Sequence, residues 1–146
     1  MQRLFWYKKE SLELKNIMET FKKEERLCNK KIIKNLFSKA NSFFDYPFKI
    51  LWIETDIKTN FPAQVLINVS KNNFKKAVDR NKIKRLIREA YRKNKFSFYE
   101  FLLKQKKQCA FAIIYTSKEI LSYQEIEKII ILILQRLQKE YEKSIK

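Results

Sequence analysis

The sequence predicts an α+β fold in which one small sheet is packed by helices. Three observations carry this. Two short runs dense in Ile, Val, Leu and aromatic residues, Pro47 to Thr55 and Pro62 to Ser70, each open on a proline and read as strands. Straight after them the apolar period changes to a helical one, over about 78 to 94. A last continuous apolar run, Cys109 to Tyr115, is of strand type and is followed by a long amphipathic segment. A chain of 146 residues, 45% of them hydrophobic, is enough for one domain with a core that needs neither disulfides nor metals.

In chain order, residues 1 to 25 mix charges and aromatics with only loose helical spacing and read as an extension. The domain boundary is set at 21, with 1 to 20 outside it, and a translation start at Met18 would account for the upstream residues. Asn29 is placed to cap a helix over about 30 to 40, because Ile32, Ile33, Leu36 and Phe37 share one face. The two strand runs are separated by a polar turn, Thr55 to Asn60, and are expected to pair as a hairpin. On the helix of 78 to 94, Ile83, Leu86, Ile87 and Ala90 form an apolar stripe. Phe96 to Leu103 suggests one or two more helical turns. Ser122 and Glu125 form a capping box for a last helix whose apolar positions are Ile126, Ile129, Ile130, Ile133, Leu134, Leu137 and Tyr141. A third short strand is expected but not placed. Phe43, Phe44, Tyr46 and Phe48 cluster around the first strand, divided between core packing and stacking on a ligand.

Composition excludes several chemistries. With no glycine there is no Gly-rich phosphate loop, and with no histidine there is no Ser-His-Asp or Cys-His system. Cys28 and Cys109 lie far apart without further soft ligands, so they read as buried small hydrophobes in a reducing compartment. Asp45, Asp56 and Asp79 are scattered, which gives little support to a protein-based two-metal nuclease. No apolar run is long enough to cross a bilayer, and the six residues Ile129 to Leu134 read as core; no signal peptide is apparent, so the expectation is cytoplasmic.

The formal net charge of +17 points to an anionic partner. Lysine abundance alone is weak evidence, since an AT-rich genome would supply it. Arginine is scarce, at seven residues, yet Arg80, Arg85, Arg88 and Arg92 fall within 13 positions. Lys71 to Lys95 holds eleven basic residues and two acids. On one helix, Lys84, Arg85, Arg88 and Arg92 form a row of cations beside the apolar stripe, with Arg80 and Asn81 at its start. Such a row can follow a phosphate backbone, and the arginine fork grips phosphate oxygens in pairs. Asn81 can address a base edge or a 2′-hydroxyl. A solvated basic face of an ordinary helix would have the same spacing.

The run Ala77-Val78-x-Arg80-Asn81-x-x-Lys84-Arg85-x-x-Arg88-Glu89-x-Tyr91-Arg92 resembles the arginine-rich signature helix of the bacterial ribonuclease P protein component. The resemblance extends to Arg26-Leu27, Leu36-Phe37, Val69-Ser70-Lys71 and Leu121-Ser122-Tyr123, and covers about residues 20 to 140. It implies a small mixed sheet with three main helices in a ribosomal-protein-like two-layer sandwich. The βαβ crossover would be left-handed, an exception to the usual rule. It further implies an accessory subunit, inactive alone, assembled with a catalytic RNA that uses Mg2+ to remove the 5′ leader of precursor tRNA, the protein binding the leader and broadening substrate range. Carried over by position, Lys71, Lys75, Lys76, Arg80, Asn81, Lys82, Lys84, Arg85, Arg88 and Arg92 would meet the catalytic RNA. Asn29, Ile33 and Phe37, with Phe48 or its strand neighbours, would line a leader cleft between the first helix and the sheet. The resemblance implies no bound DNA or membrane, and no metal motif is identifiable in the chain.

Two departures matter. Ile33 stands where the family often has an aromatic, which moves leader stacking toward Phe37. Ala40 stands where a glycine often follows the first helix, so Asn41 is expected to make the left-handed turn. A general or ribosome-associated RNA-binding protein of similar fold is the competing reading. A helix-turn-helix DNA binder is disfavoured because a strand precedes the basic helix.

Overall fold

The computed structural model describes residues 20 to 57 and 59 to 145. The extension up to residue 19, and with it a start at Met18, lies outside the described residues. Four strands form one mixed sheet: β1 (Asn41–Asp45), β2 (Phe48–Glu54), β3 (Ala63–Val69) and β4 (Cys109–Tyr115), in the order β1-β2-β4-β3. β1 and β2, and β2 and β4, are antiparallel, whereas β3 and β4 are parallel. β4 takes the centre because its apolar run suits a strand covered on both faces; all but Ile114 are buried. α1 is Lys30–Lys39, α2 Ala77–Asn94, α3 Phe96–Gln105 and α4 Tyr123–Ile145. No described helix is long and apolar enough to cross a membrane.

The expected hairpin between the two proline-opened strands does not form, because β4 lies between them. The other partner of β2 is β1, the unplaced short strand, with Phe43 opposite Ile50 and Phe44 opposite Lys49. Nor is there a left-handed turn at Asn41: Ala40 is extended and α1 runs straight into β1, so no glycine is needed there. Among the described residues the positive φ falls on Lys106 alone, at 56°, closing the end of α3. The capping box is formed, Ser122 Oγ accepting from Glu125 N at 3.3 Å and Glu125 Oε2 accepting from Ser122 N at 3.4 Å.

The main core lies on the sheet face carrying Phe48, Ile50, Trp52, Val65, Phe111 and Ile113, packed by α2, α3 and α4. Of the expected α2 stripe Ile83, Ile87 and Ala90 are fully buried and Leu86 is half-buried against the same core; of the expected α4 positions Ile126, Ile130, Ile133, Leu134, Leu137 and Tyr141 are buried and Ile129 is half-buried. α1 covers the other face, where Leu36 packs with Leu51, Ala110 and Ala112.

Residues 21 to 25 are not an appendage. Phe21 stands edge-on to Tyr91 with ring centroids 5.9 Å apart, and Leu27 N donates to Val65 O at 3.0 Å, laying a strap along the edge of β3. Glu25 is fully buried, ion-paired to Lys95 and accepting from Tyr99 Oη at 2.6 Å. Tyr99 in turn accepts from Tyr91 Oη at 3.1 Å. Irregular backbone held by tertiary contacts leaves no periodic pattern, hence the loose spacing in sequence. Of the cysteines, Cys109 is buried as expected and Cys28 is exposed.

Candidate nucleic-acid interface

α2 lies over β3 with its apolar stripe inward, so its cations are turned outward. At 100° per residue, Arg80, Asn81, Lys84, Arg85, Arg88 and Arg92 fall within an arc of about 140°, with Lys82 at its margin. Asn81, Lys82 and Arg85 are exposed, while Arg80, Lys84, Arg88 and Arg92 are half-buried. Lys71, Lys75 and Lys76 are exposed on the loop before α2, which the buried Phe74 anchors.

Two of these arginines have work within the protein. Arg80 Nη1 donates to Phe74 O at 2.8 Å and Lys75 O at 2.9 Å, fastening the loop to the first turn of α2. Arg92 donates to both oxygens of Glu89, at 2.6 and 3.0 Å, and that hydrogen bond holds the Glu89 carboxyl below the usual range. Arg88 is in the opposite situation. Burial, then the charges of Arg26 and Arg85, push its guanidinium down from the ordinary arginine value. Like charges crowded this way are stabilised by an arriving anion.

Arg26, which the sequence offers only as part of the resemblance and not as a candidate site residue, belongs with these cations. It joins Lys84 and Arg88 around a groove of about 250 Å³ floored by Leu27 and by Val65, Leu66 and Ile67 of β3. The cationic row thus continues from α2 toward the sheet edge. Arginine scarcity was an available signal, but the spacing that singles out the other four does not reach position 26.

The residues expected around the leader are separated. Asn29 caps α1, its Oδ1 accepting from Lys31 N at 3.0 Å and Ile32 N at 3.1 Å. With Ile32 and Asn35 it lines a cavity of about 740 Å³ that also takes in Gln64 of β3 and Thr55, Asp56, Ile57 and Thr59. Ile33 and Phe37 fall on the opposite flank of α1; Ile33 is half-buried and Phe37 is 52% exposed. Phe48 cannot line that cleft, because it is fully buried on the other face of the sheet against Tyr115, with ring centroids 5.5 Å apart. Strand alternation turns its neighbour Lys49 to the α1 face instead. The aromatic cluster divides the same way, Phe43 and Phe48 in the core and Phe44 and Tyr46 exposed.

Among the described residues no group of three or more His, Cys, Asp or Glu side chains is placed to hold a metal ion. Fold and surface together define a small basic α+β protein built to bind a polyanion.

The family model for ribonuclease P matches residues 21–138, and the chain belongs to that family of accessory subunits of the enzyme. It is 30% identical over 106 residues to the ribonuclease P protein component of Porphyromonas gingivalis, covering 73% of this chain and 77% of the relative. To that of Petrotoga mobilis it is 41% identical over 93 residues, 62% of this chain and 75% of the relative. The ribonuclease P protein of Thermotoga maritima has the same fold, with a TM-score of 0.61 at 23% identity, covering 77% of this chain and 96% of that one. A Staphylococcus aureus ribonuclease P protein mutant with defective mRNA degradation activity gives a TM-score of 0.62 at 22% identity, over 88% and 98% of the two chains.

Proposed function

We propose that the chain works in the cytoplasm as the RNA-binding subunit that helps the catalytic RNA of ribonuclease P remove the 5′ leader from precursor tRNA. The cationic face of α2, its preceding loop and Arg26 would lie against the catalytic RNA. The α1 flank bearing Ile33 and Phe37, with the uncovered part of the sheet, would hold the leader. Cleavage itself, and the Mg2+ it needs, belong to the RNA in this reading.

The observation that carries it is the gathering of Arg26, Lys84 and Arg88 around one groove, where burial first, and then the charges of Arg26 and Arg85, push the Arg88 guanidinium down. Phosphates would relieve that repulsion, and fixed arginines give a better-defined contact than mobile lysines. The test is cleavage of precursor tRNA by the cognate catalytic RNA at low Mg2+, with and without the protein, and with the protein alone. Strong stimulation with no activity from the protein alone is expected. Tight RNA binding without stimulation would refute the reading and leave a general RNA-binding module. Replacing Arg85 and Arg88 by Ala should flatten the log-log salt dependence of catalytic-RNA binding by roughly 0.7 to 0.9 per lost contact.

A further inference from the structure

We infer that the β1 edge carries a second stacking position for single-stranded RNA, formed by Phe44 and Tyr46 beside Lys49, which extends the leader path beyond α1. This rests on the leader reading above and adds a subsite to it. Phe44 is 53% exposed and Tyr46 66%, with ring centroids 6.4 Å apart and planes inclined at 55°. Large aromatics left in water are unusual in a chain that buries most of its rings, and these two are adjacent.

Their placement fits a nucleic-acid strand. Phe43 is in the main core, so alternation turns Phe44 to the α1 face. Phe44 is opposite Lys49, which is opposite Ile114, which is opposite Asn68, so one row crosses all four strands, exposed at Phe44, Lys49 and Asn68 and half-buried at Ile114. α1 packs over the preceding rows, at Leu51, Ala110 and Ala112, where Ile114 is also partly buried, and leaves Phe44, Lys49 and Asn68 of this row open. The exposed Lys30 and Lys34 of α1 fall on the same flank as Phe37 and supply phosphate contacts with Lys49. Asp45, between the two rings, would repel phosphate, but Arg136 Nη1 engages its Oδ1 at 2.9 Å and offsets the charge. Rings with interleaved lysines make a path that stacks bases whatever their sequence. The position also compensates for Ile33, which offers α1 no ring to stack on.

The test uses the holoenzyme with precursor tRNAs whose leaders are graded in length, comparing wild type, Phe37→Leu, Phe44→Leu/Tyr46→Leu and Phe44→Trp. Leucine keeps apolar bulk and removes the ring, and circular dichroism checks that each variant folds. Wild-type affinity should rise with leader length, and the double variant should lose on the order of tenfold with long leaders but nothing with the shortest. Phe44→Trp should retain the gain. A double variant that gains affinity with leader length exactly as wild type does overturns this subsite and leaves the leader reading intact. Wild-type affinity indifferent to leader length overturns both. Self-association of the free protein that the double variant abolishes would assign the patch to a second copy and overturn the RNA subsite.

Discussion

Replacing Lys95 by Met should remove a large part of the stability of the domain. The Lys95 ammonium and the Glu25 carboxylate are both fully buried and ion-paired. Glu25 also accepts from Tyr99 Oη at 2.6 Å and from Lys22 N at 2.7 Å, and the Lys95 ammonium donates to Thr20 O as well. Methionine keeps the stem and deletes the charge, so Glu25 stays buried without its counter-charge. Breaking one partner of such a pair costs about 3–5 kcal/mol. For a domain of this size that corresponds to a fall in Tm of roughly 10–20 °C. Urea unfolding, followed by far-UV circular dichroism and by the fluorescence of the buried Trp52, measures it. Glu25→Gln alone should cost a comparable amount, whereas the double variant should recover to within about 1–2 kcal/mol of wild type, because it removes both charges. A Lys95→Met protein within about 1 kcal/mol of its parent would refute the reasoning, and would mean that water reaches the pair.

Other outcomes follow from the same geometry. Burial raises the Cys109 thiol and the hydroxyls of Tyr91, Tyr99, Tyr115, Tyr123 and Tyr141, the Tyr123 value to about 12. The unfolded chain then releases protons that the folded one retains, so stability should fall as pH rises above about 9, visible as a declining urea midpoint between about pH 8 and 11. The lowered Lys95 works the other way but is one group against six; a flat midpoint would contradict the burial of these groups. Ser122→Ala should lose about 1 kcal/mol with the α4 cap, read from the same unfolding curves. Arg26→Ala should reduce the salt slope of catalytic-RNA binding by roughly 0.7 to 0.9 with little change in Tm, since its groove is open to solvent. Arg80→Ala should lower Tm as well as RNA affinity, because its guanidinium fastens the loop before α2.

The helices were legible because their signals are local. Asn29 and Ser122 cap where the sequence places them, and the stripe of Ile83, Ile87 and Ala90 is the face that is buried. The basic face of α2 was legible for the same reason. Pairing partners were not: nothing within Pro47 to Ser70 tells that residues 109 to 115 insert between the two strands. Phe48 was assigned to the wrong face because choosing the side of a strand needs the register, and a shift of one residue inverts it. The strap of residues 21 to 27 was illegible for a third reason. Glu25 and Lys95 read as surface charges until a distant partner buries them together.

The central position of β4 also sets an order of events during synthesis. β1 and β2 can pair as soon as they leave the ribosome, but β2 and β3 each present an edge whose partner is β4, made only when residues 109 to 115 have been added. Until then the nascent chain holds two apolar strands with open hydrogen-bonding edges, followed by the most cationic stretch of the molecule. Such edges are where aggregation starts. Chain elongation through β4 is therefore needed to close the sheet, and α4 must follow to cover its core face, so truncation before Cys109 should leave a species dependent on chaperones.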